Sequence, residues 1–220
     1  MIDRGLRPLK SYALGPATSA LAPRLARWGA MPVTALGLGV GLAAAVAGAA
    51  GAFGPALWLW WGNRLLDGLD GEVARRLGRA DDRGGYVDLI ADLVVYALVP
   101  IGAAVGATAP WSLHGATPDP WTWPAAAALL GAYYVNLGSH AYLAALLEKR
   151  GRGAAMRPDV TSFAMPGGLV EGFETIVLVS LMLAVPALLP WWFGLAAVLV
   201  AVTAGQRVWW TVRTLAREAM

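Results

Sequence analysis

Four aspartates in this chain stand at spacings that chemistry can use. Asp67 and Asp70 lie three residues apart in the stretch Asp67-Gly68-Leu69-Asp70-Gly71-Glu72-Val73-Ala74-Arg75. Asp88 and Asp92 lie four apart in Gly84-Gly85-Tyr86-Val87-Asp88-Leu89-Ile90-Ala91-Asp92. Residues three or four apart share one face of a helix. Two such helices joined by the short turn Arg76–Arg83 run antiparallel and bring the four carboxylates together. Like charges gathered in a low-dielectric site repel strongly, and divalent cations are the natural compensation. Hard oxygen ligands without His or Cys favour magnesium or manganese. Such ions bridge diphosphates and neutralise charge that develops during group transfer. Gly71 and Gly84 remove side chains one turn after Asp67 and one turn before Asp88, and Ala74 continues the small face, so a phosphate can approach the backbone. Arg75 is spaced to pair with a phosphate oxygen. Ion pairing with neighbouring arginines would explain one aspartate pair, but not four in this register.

The elements that position these residues are read as membrane helices. Of the 220 residues, 58% are hydrophobic and 14% charged. Soluble domains are roughly 45–50% apolar and about 25% charged. Disordered chains are polar and poor in aromatics, which the 11 Trp exclude, and zero Cys excludes a disulfide scaffold. A bilayer-crossing helix needs about 20 mostly apolar residues. Six candidates follow: Met31–Phe53, Pro55–Leu66, Tyr86–Val105, Trp121–Leu147, Gly168–Leu188 and Trp191–Val212. The second is short, and spans only if its helix continues through Asp67–Arg75. The expected fold is an all-α polytopic membrane bundle of one domain, 1–220, with a short amphipathic N-terminal segment (1–29) and a six-helix bundle (30–216).

Charge placement orients the bundle. The 17 Lys and Arg cluster before span one, after spans two and four, and at the end of span six. The connections after spans one, three and five hold none. By the positive-inside rule, those clusters and both termini face the cytoplasm. Trp58, Trp60, Trp61, Trp111, Trp121, Trp123, Trp191 and Trp192 mark the outer ends, and Trp28, Trp209 and Trp210 the inner ends, as an aromatic belt does. The net charge of +3 therefore reads as topology and attraction to anionic lipid, not nucleic-acid binding. Leu6, Leu14, Leu21 and Leu25 suggest an interfacial amphipathic helix, broken by Pro8, Pro16 and Pro23. Its basic residues lack the apolar core of a signal peptide. Gly37, Gly41, Gly48 and Gly51 in span one allow close helix packing. Fifteen of the 17 basic residues are Arg, and Ala is abundant, which fits a high-GC bacterium and its cytoplasmic membrane.

The pattern Asp-x2-Asp-Gly-x2-Ala-Arg-x8-Gly-x3-Asp-x3-Asp resembles the signature of the CDP-alcohol phosphatidyltransferases. It is present without departure at Asp67, Asp70, Gly71, Ala74, Arg75, Gly84, Asp88 and Asp92. The resemblance implies a homodimeric membrane enzyme that transfers a phosphoalcohol from a CDP-linked donor to a hydroxyl and releases CMP. It implies a site open to the cytoplasm with two ions, magnesium or manganese, held by Asp67, Asp70, Asp88 and Asp92. Asp67, Asp70, Gly71, Ala74, Arg75 and Gly84 would border the CDP group. Asp92 would be the general base for the acceptor hydroxyl, beside metal that keeps a carboxylate deprotonated.

The acceptor must be read outside the signature. Asn136 and His140 on span four, and Glu171 and Glu174 at the start of span five, are candidates for its pocket. For the glutamates the competing reading is pairing with Arg152, Arg157 or Arg207, and for His140 it is packing. Asn63, four residues before Asp67, could orient it, and Arg64 reads as a snorkelling residue; Thr34, after Pro32 at the inner start of span one, stands where the resemblance implies a Pro and Thr near the nucleotide. CDP-diacylglycerol is the expected donor, with glycerol 3-phosphate, serine, inositol phosphate or another small polar alcohol as acceptor. Transfer from a CDP-amino alcohol to diacylglycerol is a variant of that reading. A divalent-cation transporter also places carboxylates in membrane helices, but it has no use for Gly71, Ala74 and Arg75. An aspartate-motif prenyltransferase does not require the Ala-Arg pair and the glycine at these spacings.

Overall fold

A computed structural model describes residues 20–78, 82–115, 118–150 and 172–218, which are helical apart from short connections. Six long helices follow in order: α1 (Ala30–Ala49), α2 (Phe53–Arg76), α3 (Asp82–Thr108), α4 (Thr122–Lys149), α5 (Gly172–Ala184) and α6 (Leu189–Glu218). A 3-10 turn, Pro186–Leu188, separates the last two. Residues 20–25 form a further helical turn. Glu171 and residues 1–19 of the amphipathic segment lie outside the described residues. The second expected span is indeed one helix with the motif: α2 runs unbroken from Phe53 through Asp67 and Asp70 to Arg76. Three helices are long and apolar enough to cross a membrane, Ala30–Ala49, Asp82–Thr108 and Pro186–Ala216, and Gly172–Ala184 is a shorter apolar helix.

Small residues decide how the helices meet. The helix α1 packs closely on both α2 and α3, whereas α2 and α3 share few close backbone contacts with each other. At one end α1 and α3 touch backbone to backbone. A Cβ on Gly102 would lie 2.2 Å from the Ala45 carbonyl oxygen, and one on Gly106 would lie 1.9 Å from that of Gly48. Gly51, with φ of 76°, turns the chain from α1 into α2, and a Cβ there would strike Ser112. This end also gathers the start of α2 and the loop after α3. The Leu113 amide donates to Ala50, and the Phe53 and His114 rings meet edge-on at 5.2 Å. Trp123 reaches Thr108 across the start of α4. The aspartate end of α2 and α3 is therefore the opposite one, where α2 and α3 are bridged by side chains.

A second unit, α4 with α6, packs tightly, and α5 sits between it and the first three helices. Ala44, Ala45, Trp60, Val95, Val99 and Phe193 are among the residues of the main core. A smaller cluster at the aspartate end joins Ala22 to Val33, Leu69 and Val73, with Leu21 and Leu25 against it. Outward faces carry exposed apolar residues, among them Val46, Val198 and Tyr134, which suits hydrocarbon rather than water. Trp58, Trp111, Trp121, Trp123, Trp191, Trp28 and Trp209 are exposed. Trp60 is not part of the expected belt: it is fully buried, because it lies on the face of α2 that meets α3.

Candidate active site

The four aspartates meet at one cleft. It opens to solvent, spans about 210 Å³ counted with that opening, and is lined by Thr34, Gly37, Leu38, Asn63, Asp67, Asp70, Asp88, Ala91 and Asp92. The splay of α2 from α3 makes the cleft, and α1 forms its floor. The sequence spacing therefore brought all four carboxylates together as expected, but it did not reveal that a third helix supplies a wall.

Each carboxylate has a distinct setting. Asp70 is buried, and the Thr34 hydroxyl donates to its Oδ2 at 2.7 Å. Asp92 accepts from Arg64 Nη2 at 2.8 Å on Oδ1. Asp67 stands 3.7 Å from the same guanidinium. Asp88, half-buried, completes the lining from the first turns of α3. One arginine against four carboxylates leaves a formal charge of −3, by +1 − 4. The donor set is wholly oxygen and amide, with no thiol or imidazole among the lining residues, which fits a hard divalent cation. Among the described residues, no three such groups already stand as the ligands of one ion. Arg64 stands within ion-pair distance of both Asp67 and Asp92.

The other motif residues are not in the lining. Gly71 and Ala74 continue the Asp67 and Asp70 face of α2 beyond the cleft, and Gly84 precedes Asp88 by one turn of α3. A Cβ on Gly71 would meet only the Arg75 guanidinium within 4 Å, so that face is open. Arg75 is exposed and pairs with Glu72 at 3.1 Å, and Arg76 pairs with the same glutamate at 3.0 Å. The described acceptor candidates are not among the residues that line the cleft. Asn136 and Ser139 on α4 receive Arg207 of α6: Nη1 donates to the Asn136 carbonyl at 2.9 Å, to Asn136 Oδ1 at 2.8 Å and to Ser139 Oγ at 2.9 Å. His140 is exposed on α4, and Glu174 is half-buried in the first turn of α5.

The chain matches no family model. Its fold is similar to that of phosphatidylinositol phosphate synthase PgsA1 of Mycobacterium tuberculosis with CDP-DAG bound. The TM-score is 0.66, with 23% identity over 87% of this chain and 91% of that one. The structure of the same protein in complex with manganese and citrate gives 0.66, with 24% identity and 87% of each chain. Over its whole length the chain is similar to inner membrane protein YnjF of Escherichia coli (strain K12), 34% identical across 99% of this chain and 100% of the relative. The chain therefore belongs to one family with inner membrane protein YnjF, and it shares the fold of phosphatidylinositol phosphate synthase PgsA1.

Beside the cleft, the buried arginine departs from its sequence expectation. Arg64 does not snorkel toward water. Its side chain is 1% exposed and lies 4.8 Å from the centres of both the Trp60 and Tyr96 rings. Position i−3 to Asp67 already placed it on the aspartate face, and that was the available signal. Thr34 was undervalued for a similar reason: its partner, Asp70, is 36 residues away in sequence.

Proposed function

We propose that this protein transfers the phosphatidyl group of CDP-diacylglycerol to the hydroxyl of a small polar alcohol. The acceptor oxygen bonds to the phosphatidyl phosphorus, the bond from that phosphorus to CMP breaks, and the hydroxyl proton passes to Asp92. One observation carries the reading: the four aspartates of a complete family signature line a single cleft, at the end of the helices where the basic residues cluster. The CDP-DAG and manganese complexes of a protein of the same fold support it.

Asp67, Asp70, Asp88 and Asp92 are the residues that would hold two ions, magnesium or manganese. When bound, these ions would offset carboxylate repulsion and stabilise the charge on departing CMP. Thr34 donates to one oxygen of Asp70 and so restrains that carboxylate at the cleft. Gly71, Ala74, Arg75 and Gly84 would border the CDP group, which the open face at Gly71 supports. Asp92 is suited to a base because it lines the cleft and is only partly buried. A general base must stand within hydrogen-bond reach of the proton it takes. Asn136, His140, Glu171 and Glu174 remain the proposed acceptor pocket, and Arg207, tied to Asn136, joins it as a cation for an anionic acceptor. Glycerol 3-phosphate, serine and inositol phosphate are the acceptors to test, with diacylglycerol as acceptor for a CDP-amino alcohol as the variant reaction. All six helices are proposed to span the bacterial cytoplasmic membrane of a homodimer, termini and site inward. Residues 1–29 would lie along the inner surface as an amphipathic segment.

A transporter reading is weaker, because the aspartates gather at one end of the helices rather than along their length. The deciding experiment incubates purified protein with CDP-diacylglycerol, manganese or magnesium, and a panel of alcohols. CMP release that depends on one alcohol is expected. Folded protein that releases no CMP with any acceptor refutes the proposal.

A further inference from the structure

Arg64 is a fully buried cation in a chain with few charges, and it is held on every side. Trp60, one turn earlier, and Tyr96 place their rings 4.8 Å from it. Its Nη1 donates to the Tyr96 hydroxyl at 3.0 Å, and its Nε to Asn63 Oδ1 at 2.8 Å. Asn63 is itself buried, and its amide donates to the Gly37 carbonyl of α1 at 2.9 Å. The remaining nitrogen, Nη2, donates both to Asn63 Oδ1 at 2.5 Å and to Asp92 Oδ1 at 2.8 Å. A continuous set of hydrogen bonds thus runs from the α1 backbone through α2 to the Asp92 carboxylate on α3.

We propose that Arg64 is a positioning residue for Asp92. This rests on the reading of Asp92 as the general base. A free aspartate samples several rotamers, and a base that wanders wastes encounters. A charge-assisted bond at 2.8 Å ties one oxygen of Asp92 to a guanidinium that cannot move. The other oxygen then keeps one direction in which to take the acceptor proton. Asp67, at 3.7 Å from the guanidinium, is held less closely than Asp92. Lysine cannot replace this fork, because an ammonium lacks the planar geometry that meets Asn63, Tyr96 and Asp92 together.

Arg64→Gln, Arg64→Lys, Tyr96→Phe and Asp92→Asn in the full-length protein test this. The readouts are kcat, acceptor KM, manganese half-saturation, CDP-diacylglycerol Kd and thermal unfolding. Arg64→Gln is expected to lower kcat about 100-fold, the scale of an ångström of misplacement, and Arg64→Lys about 10-fold. Tyr96→Phe, which removes one restraint on the guanidinium, lowers kcat several-fold. Donor Kd and manganese half-saturation stay within about threefold. Three results overturn the proposal: unchanged kcat in Arg64→Gln, a loss recovered by raising manganese, or a fall of donor affinity and unfolding temperature in step with kcat. If Arg64→Gln does not fold, unchanged kcat in both Arg64→Lys and Tyr96→Phe overturns it instead. Asp92→Asn separates the two readings. Full activity there refutes the base and the positioning together, whereas an inactive Asp92→Asn beside a fully active Arg64→Gln refutes the positioning alone.

Discussion

Replacing Gly102 by alanine tests whether the crossing of α1 and α3 sets the shape of the bundle. The added methyl would sit 2.2 Å from the Ala45 carbonyl oxygen. Cβ atoms essentially never approach another heavy atom closer than 3.0 Å, so the two backbones must separate by at least 0.8 Å (3.0 − 2.2). Nothing flexible can yield, because the obstacle is main chain, and Gly106 is pinned in the same way against Gly48. Overpacking of this kind costs about 1–3 kcal/mol. Alanine also gains up to about 1 kcal/mol over glycine in helix propensity, which hides part of the loss. Gly131→Ala on α4 supplies the reference, since a Cβ there meets nothing within 4 Å. The difference between the two variants isolates the clash. At roughly 2–4 °C per kcal/mol for a chain of this size, Gly102→Ala should unfold several degrees below Gly131→Ala in detergent. Circular dichroism on heating measures it. Gly102→Ala that is as stable as Gly131→Ala, or more so, refutes the reasoning.

Three further outcomes are expected. Asp92→Asn abolishes CMP release while CDP-diacylglycerol still binds, as measured by calorimetry in micelles; retained turnover counts against its role. Thr34→Val removes the 2.7 Å hydrogen bond on buried Asp70, and loss of such a ligand support should raise manganese half-saturation about 10-fold or more. A metal titration of CMP release reads that shift, and an unchanged midpoint would show that Thr34 does not orient Asp70. Stripping divalent ions with EDTA should stop turnover, and manganese or magnesium should restore it; activity that survives EDTA contradicts the metal assignment.

The helices and the aspartate site were legible because charge is scarce in this chain. Against an apolar background, Asp67, Asp70, Asp88 and Asp92 stand out at helical spacing, and the extension of α2 to Arg76 follows from needing a full span. What was not legible depends on how helices rotate and cross. Thr34 meets Asp70 only because small residues let α1 approach α2 and α3, a distance no local pattern encodes. Arg64 was misread from its position near the end of an apolar run, where arginines usually reach for water. Its actual partners, Tyr96 and Asp92, lie on another helix. Trp60 failed in the same manner: its place in a tryptophan-rich stretch suggested the interface, but its face of α2 points inward.

That inward tryptophan has a practical consequence. Of the 11 tryptophans, Trp60 alone is fully buried. Its indole lies 4.8 Å from the cation that grips Asp92 and meets Tyr96 edge-on at 5.7 Å. Of the other ten, seven are exposed and Trp61, Trp192 and Trp210 are half-buried. A Trp60→Phe subtraction would therefore isolate the optical signal of a single ring placed against the site. The protein carries its own spectroscopic probe, one that reports on the cleft without a label and before any acceptor is known.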